Sequence, residues 1–307
     1  TSMINFDNMF NMQGMLFLLM IIGAVLTWKR IITADGQKLL TDLVMDVTLP
    51  ASIIKSFQME LSRELLESCL EIFLVAIAIQ VGTFLLSALL YRGISDEKHR
   101  KVLQYATICS NAGVLGNPIA EGIFGSMGLL YASIYLIPQR TFMWSAGLTY
   151  FTRCPSKREL ARKVLTHPCI IAVAFGMVLL ITGTTLPGFL GSTVNSIAGA
   201  NTAVSMMLIG SFLVGVNVKS MFQKTFYYYS FVRLFLIPFL VFVPCRLLGL
   251  DSMVTGVSTI LAAMPAASST AILAAKYECD EVFASKCVVF TTVLSMVTIP
   301  VWCLFLA

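Results

Sequence analysis

The chain alternates long apolar runs with short polar or Gly/Pro turns. Apolar stretches cover residues 11–28, 38–57, 68–91, 101–125, 129–151, 164–183, 196–217, 226–248, 252–275 and 282–306. Most are close to the length of about 20 residues at which a helix crosses a bilayer. The pattern predicts an all-α polytopic membrane protein with ten transmembrane helices and no linker long enough to tether a soluble domain. An even split gives two halves of five spans, 1–152 and 164–307, joined by a cytoplasmic linker at 153–163. Five is odd, so the second half enters the membrane upside down relative to the first, as in inverted-repeat transporters.

Two spans are interrupted in their middles. Span four carries SNAGVLGNPIAEGIFG at 110–125, and span nine, its counterpart, carries AAMPAASSTA at 262–271. Glycine weakens a helix and proline removes a backbone donor. In hydrocarbon the freed groups need partners in protein or in a water-filled cavity, so a break is tolerable where it lines a site. Pro118 suits the first position of a new half-helix with Asn117 as its N-cap, and Pro265 suits the same place in span nine. Each second half-helix then turns an N-terminal end, about half a positive charge, towards the midplane. Two such ends with Asn, Ser and Thr donors make a place for an anion. The residues singled out are Asn111, Gly113, Gly116, Asn117, Pro118, Pro265, Ser268, Ser269 and Thr270. The competing reading of either break is a proline kink that only serves packing. A matched pair of breaks favours the site.

Charge orients the spans. The loops after spans one, three, five, seven and nine hold 16 of the 21 Lys and Arg, among them Lys29, Arg30, Arg100, Lys101, Arg158 and Arg162. The opposite loops hold Lys55, Arg63 and Arg246. The positive-inside rule puts the first set in the cytoplasm and both termini outside. The net charge of +5 is therefore a topology signal, and no nucleic-acid-binding signature accompanies it.

Composition agrees with the membrane reading. The chain is 57% hydrophobic and 12% charged, with mean hydropathy +0.85, against about 25% charged in soluble domains. The N-terminus has no basic stretch ahead of its apolar run, so no cleavable signal peptide is expected. The cysteines stand singly, without metal-ligand spacing, and read as small apolar fillers. His99 and His167 have no companion at ligand spacing, so no metal and no cofactor is expected. No Walker motif, H-E-x-x-H or G-x-S-x-G occurs, which argues against an ATP-driven pump and against an enzyme.

Charges inside spans carry the remaining chemistry. Glu121, one turn past Pro118, is either a proton or cation site or a partner for Arg140. Arg140 either grips a carboxylate with two prongs or neutralises Glu121. Glu71 in span three and Asp46 in span two are further coupling candidates, with H+ or Na+ as the ion. Arg233 reads as structural or snorkelling.

The motifs N-A-G-V-L-G-N-P at 111–118 and A-A-M-P-A-A-S-S-T-A-I-L-A-A-K-Y at 262–277 resemble the span-four and span-nine signatures of the auxin efflux carrier family. L-P-A-S-I-I-K-S-F at 49–57 and T-I-P-V-W at 298–302 fit it too. The resemblance covers essentially the whole chain, in a compact, bacterial-type form without the long central loop of plant members. It implies a bile-acid-transporter/sodium-proton-antiporter-like fold in which broken spans four and nine cross. Spans three to five and eight to ten would form a mobile transport domain. Spans one, two, six and seven would form a scaffold, as a homodimer. It implies elevator-type transport of a small organic anion, an auxin-like monocarboxylate or a dicarboxylate such as malate or malonate. Glu121 departs from plant members, which tend to carry a basic residue there. The alternative function is a ligand-sensing membrane protein built on a carrier-like fold.

Overall fold

The computed structural model describes residues 6–58, 62–143, 146–151, 158, 162, 165–212, 214, 223–267, 269–277 and 279–306. Helix α1, Phe6–Trp28, leads to α2, Ala34–Leu43, capped by Thr33, whose Oγ1 accepts the Gly36 N–H at 3.3 Å. A π turn, Val44–Thr48, continues α2 into α3, Leu49–Ser56. The long helix α4, Arg63–Leu90, starts under a Ser62 cap. Helix α5, Glu97–Ile108, starts under Asp96, whose Oδ1 accepts the His99 N–H at 3.1 Å and whose carboxyl that bond holds below the ordinary aspartate range. After three non-helical residues comes a second π turn, Ala112–Gly116, and then α6, Asn117–Met143. Gly125 breaks α6 with φ 68° and ψ −158°, a conformation that favours glycine, at the boundary expected between spans four and five.

Helices α7, Pro168–Thr182, and α8, Gly188–Phe212, are followed by α9, Lys224–Phe231, a π turn, Val232–Leu236, and α10, Ile237–Leu247. Helix α11, Ser252–Ala262, starts under Asp251, whose Oδ1 accepts the Met253 and Val254 N–H groups. Helices α12, Ser269–Lys276, and α13, Glu281–Leu306, complete the chain. Among the described residues there is no strand, only one isolated bridge.

Among the described residues four helical stretches are long and apolar enough to cross a membrane: Arg63–Leu90, Ala112–Met143, Lys224–Leu247 and Val282–Leu306. Shorter apolar helices lie at Phe17–Trp28, Pro168–Thr182 and Ser252–Ala262. Apolar side chains such as Leu70, Leu74, Leu85 and Leu89 of α4 are more than half exposed, whereas Thr48, Asn201 and Ser205 are buried. That distribution suits lipid outside and bonded polar groups inside: Thr48 Oγ1 donates to Asn201 Oδ1 at 3.0 Å. This is an all-helical, polytopic membrane protein. Helix α1 packs along α8 backbone to backbone, since a Cβ on Gly23 would meet the Met207 carbonyl and one on Gly210 the Met20 carbonyl.

Each of the three π turns lies just before a proline. Pro50, Pro118 and Pro238 stand two residues beyond the turns, and the residue before each proline bonds five back: Leu49 to Val44, Asn117 to Ala112, Ile237 to Val232. In a regular turn the proline ring would strike the carbonyl four residues back. Widening the turn moves that carbonyl aside and leaves it free for another donor. At Pro238 that carbonyl belongs to Leu234, and the Trp302 indole N–H takes it at 2.8 Å. The expectation that Pro118 opens a half-helix under an Asn117 cap is therefore corrected. Asn117 is already helical (φ −59°, ψ −50°), and the half-helix opens at Ala112 behind Asn111 (φ −78°, ψ 34°).

Candidate functional site

The interruptions of α5–α6 and α11–α12 lie against each other. Ser110 pairs with Ala266 in an antiparallel bridge. The Asn111 N–H donates to the Pro265 carbonyl at 2.8 Å, and the Ala267 N–H donates to the Cys109 carbonyl at 3.2 Å. Each break thus supplies partners that the other lost when its helix stopped, which is how irregular backbone survives at membrane depth.

Side chains close most of the remaining account. Gln139 holds Ser110 from both sides: its Nε2 donates to the Ser110 carbonyl at 2.7 Å, and Ser110 Oγ donates to its Oε1 at 3.1 Å. Thr291 Oγ1 accepts the Ala266 N–H at 3.2 Å. Tyr105 OH lies 3.3 Å from Ser269 Oγ. Arg233, 2% exposed, donates from Nε to the Met264 carbonyl at 2.8 Å and from Nη1 to the Thr107 carbonyl at 3.0 Å. Sequence reasoning missed Gln139 and Thr291 and gave Arg233 only a general structural role. An arginine within a span was the one available signal; the other two look like ordinary polar span residues.

One face of the crossing keeps donors. The Leu115 and Gly116 N–H groups both reach back to the Asn111 carbonyl. Among the described residues the amides of Ala112, Gly113 and Val114, the first of this half-helix, donate to no backbone carbonyl. Gly113 and Val114 are half-buried. The Arg140 guanidinium lies beside them, with Nη2 3.0 Å from where a Gly113 Cβ would stand. Arg140 is 5% exposed, its Nη1 sits 3.3 Å from both ring nitrogens of His167, the N-cap of α7, and its field reaches the Cys169 thiol. Asn117, fully buried, has neither amide atom paired among the described residues, and neither does the buried Thr270 hydroxyl.

The other expected site residues fall as follows. Gly116 touches the end of α11, where a Cβ would come within 2.7 Å of Leu261 and 3.1 Å of Met264. Pro265 lies in the unwound stretch and offers its carbonyl to Asn111; α12 opens only at Ser269, so Pro265 does not start the half-helix as expected. Ser268 lies outside the described residues. Glu121 is half-buried, and no ion pair among the described residues joins it to Arg140; the cation whose field reaches it is Lys55. Asp46 is exposed on the first π turn, near enough to Cys169 to act on it, and so flanks Arg140. Glu71 acts on Tyr131 and Cys245, and none of the described hydrogen bonds ties it to either break. Two grooves, of about 660 and 330 Å³, lie on apolar helix faces around Phe235 and Trp302 and around Ile79 and Val241, and offer a charged solute nothing to hold.

A family model described as membrane transport protein matches residues 14–162 and 155–303. An uncharacterized transporter of Methanothermobacter thermautotrophicus is 26% identical over 92% of this chain and 94% of its own length. The uncharacterized transporter MJ1031 of Methanocaldococcus jannaschii is 23% identical over 93% and 94%. The uncharacterized transporter YfdV of Escherichia coli K12 is 22% identical over 94% of each chain. An all-helical membrane body, two interlocked helix breaks and a match spanning nearly every residue lead to one assignment: the chain belongs to the membrane transport protein family, that of the auxin efflux carriers.

Proposed function

We propose that the protein is a secondary carrier of small organic anions, with the solute's carboxylate held at the crossing of the two broken helices. The observation that carries the reading is the Arg140 guanidinium beside Gly113, at the N-terminal end of the second half-helix. A planar five-donor cation stands beside the backbone of Gly113, within a run of three amides that have no backbone acceptor among the described residues, and a carboxylate would satisfy both. Asn117 and Thr270 add buried polar groups in want of partners. The solute is an auxin-like monocarboxylate or a dicarboxylate of the malate or malonate kind.

The ten-span reading supplies the motion. Two inverted repeats, 1–152 and 164–307, give a scaffold of spans one, two, six and seven, and a transport domain of spans three to five and eight to ten. Arg140 on α6 meets His167 on α7, a contact across the seam between those two bodies, which suits an elevator that carries the crossing past the scaffold. The carrier works as a homodimer in the cell membrane, with both termini on the non-cytoplasmic side. Glu121, Asp46 and Glu71 are the groups at which coupling to protons enters.

Purified protein in proteoliposomes, offered labelled mono- and dicarboxylates under imposed proton or sodium gradients, tests the reading. Saturable uptake of carboxylates and none of their neutral amides is expected. Binding without flux would mean a sensor, and equal flux of the neutral amides would remove the anion site. Glu121→Gln in the same vesicles decides coupling: gradient dependence identical to the parent's would take Glu121 out of the mechanism.

A further inference from the structure

We propose that Arg233 is the resident cation of the crossing: its guanidinium fills the place where a carrier with unwound helices otherwise holds a mobile cation. The inference rests on the carrier reading and adds what holds the other end of the site. Both acceptors of Arg233 are stranded carbonyls. Thr107 lies in the last turn of α5, and in an unbroken helix its carbonyl would receive the Asn111 N–H, which goes to Pro265 instead. Met264 lies just past the end of α11. Helix carboxyl ends each carry about half a negative charge. Two of them meeting at one point present about one unit, which is what one guanidinium balances.

The surroundings leave that balance to the backbone. Among the described residues no carboxylate pairs with Arg233; the titratable groups around it are Tyr229, Tyr135, Tyr91 and Cys109. An unpaired charge buried in a membrane protein is costly unless it is compensated locally. Stranded carbonyls and half-helix carboxyl ends are also the groups with which broken-helix transporters coordinate sodium or protons. Here those groups are engaged by a cation tethered through the π turn Val232–Leu236. A sodium ion approaching the same oxygens would meet a fixed positive charge. The negative ends are therefore neutralised permanently, and the opposite ends, at Ala112–Val114, keep their positive field for the anion without a co-bound metal ion.

The test has two arms. In proteoliposomes the parent protein should take up its organic anion at the same rate in sodium, potassium and choline media. Arg233→Gln should lose on the order of 10-fold or more in choline, with partial, saturable recovery on adding methylguanidinium or sodium, and Arg233→Lys should fall between. The second arm needs no substrate, so it stands if the anion reading fails. In detergent, millimolar methylguanidinium or sodium should raise the melting temperature of Arg233→Gln and leave the parent unmoved. Sodium-dependent uptake or saturable binding of radioactive sodium by the parent would overturn the proposal, and that measurement needs no variant to fold. So would a folded Arg233→Gln that transports normally in choline, or one that neither cation restores or stabilises.

Discussion

Arg140→Gln is expected to reduce organic-anion uptake by on the order of 100-fold, about 3 kcal/mol, the scale of losing a buried charge-assisted pair. The guanidinium is almost wholly buried yet reaches the half-buried Gly113 backbone, and glutamine keeps the stem while removing the charge. What remains for the carboxylate is the three amides and the helix end, worth about 2 kcal/mol at best in a partly buried setting. Arg140→Lys should recover part of the loss, because lysine supplies a point charge but no planar fork. The deficit should appear mainly in KM for substrates that reach saturation. Initial-rate uptake in proteoliposomes, normalised to folded protein, measures it. Uptake by Arg140→Gln equal to the parent's would separate Arg140 from substrate recognition.

Gly116→Val is expected to nearly abolish transport while leaving a folded protein. A Cβ here stands 2.7 Å from Leu261 Cδ2, 3.1 Å from Met264 Cγ and 3.3 Å from Ala112 Cβ, so valine forces the α11 end away from the π turn. Overpacking of this kind costs about 1–3 kcal/mol of stability. Transport should suffer more than stability, because Met264 and Pro265 carry the carbonyls that Arg233 and Asn111 hold, and an ångström of displacement undoes both. Gly116→Ala should give an intermediate rate, since its single methyl meets side chains rather than backbone. Gly82→Val on α4 is the control: a Cβ there meets nothing within 4 Å, and full activity is expected. Melting curves and uptake measured on the same preparations separate the two effects. A Gly116→Val protein that transports normally would show that the close approach is incidental.

The two interruptions were legible because Gly, Pro and Asn crowd into stretches that lipid would otherwise make helical, and that conflict is local. Where the freed groups go was not legible. Proline was read as the start of a new helix, but at Pro118 a widened turn absorbs it, and the unwinding falls at residues 109–111, where nothing in the sequence forbids a helix. What stops the helix there is tertiary: the Pro265 carbonyl competes for the Asn111 amide, and Gln139, far along the chain, holds Ser110. Arg233 stood out as a charge in a span, yet its direction is set by the π turn before Pro238, and its acceptors lie 31 and 126 residues away. The sequence suggests a Glu121–Arg140 pair because the two fall in adjacent spans. The break at Gly125 redirects the chain between them, and Arg140 ends against α7 while Glu121 lies in the field of Lys55.

In the proposed mechanism, main-chain amides of one helix break take hold of the carboxylate. Hydrogen exchange of the protein in lipid nanodiscs, with and without a saturating amount of an anion that the vesicle panel shows to be transported, addresses it at the backbone itself. The account predicts slowed exchange across residues 112–114, absent in Arg140→Gln. Unchanged exchange there, with protection arising in some other segment of a protein that still transports the anion, would contradict it.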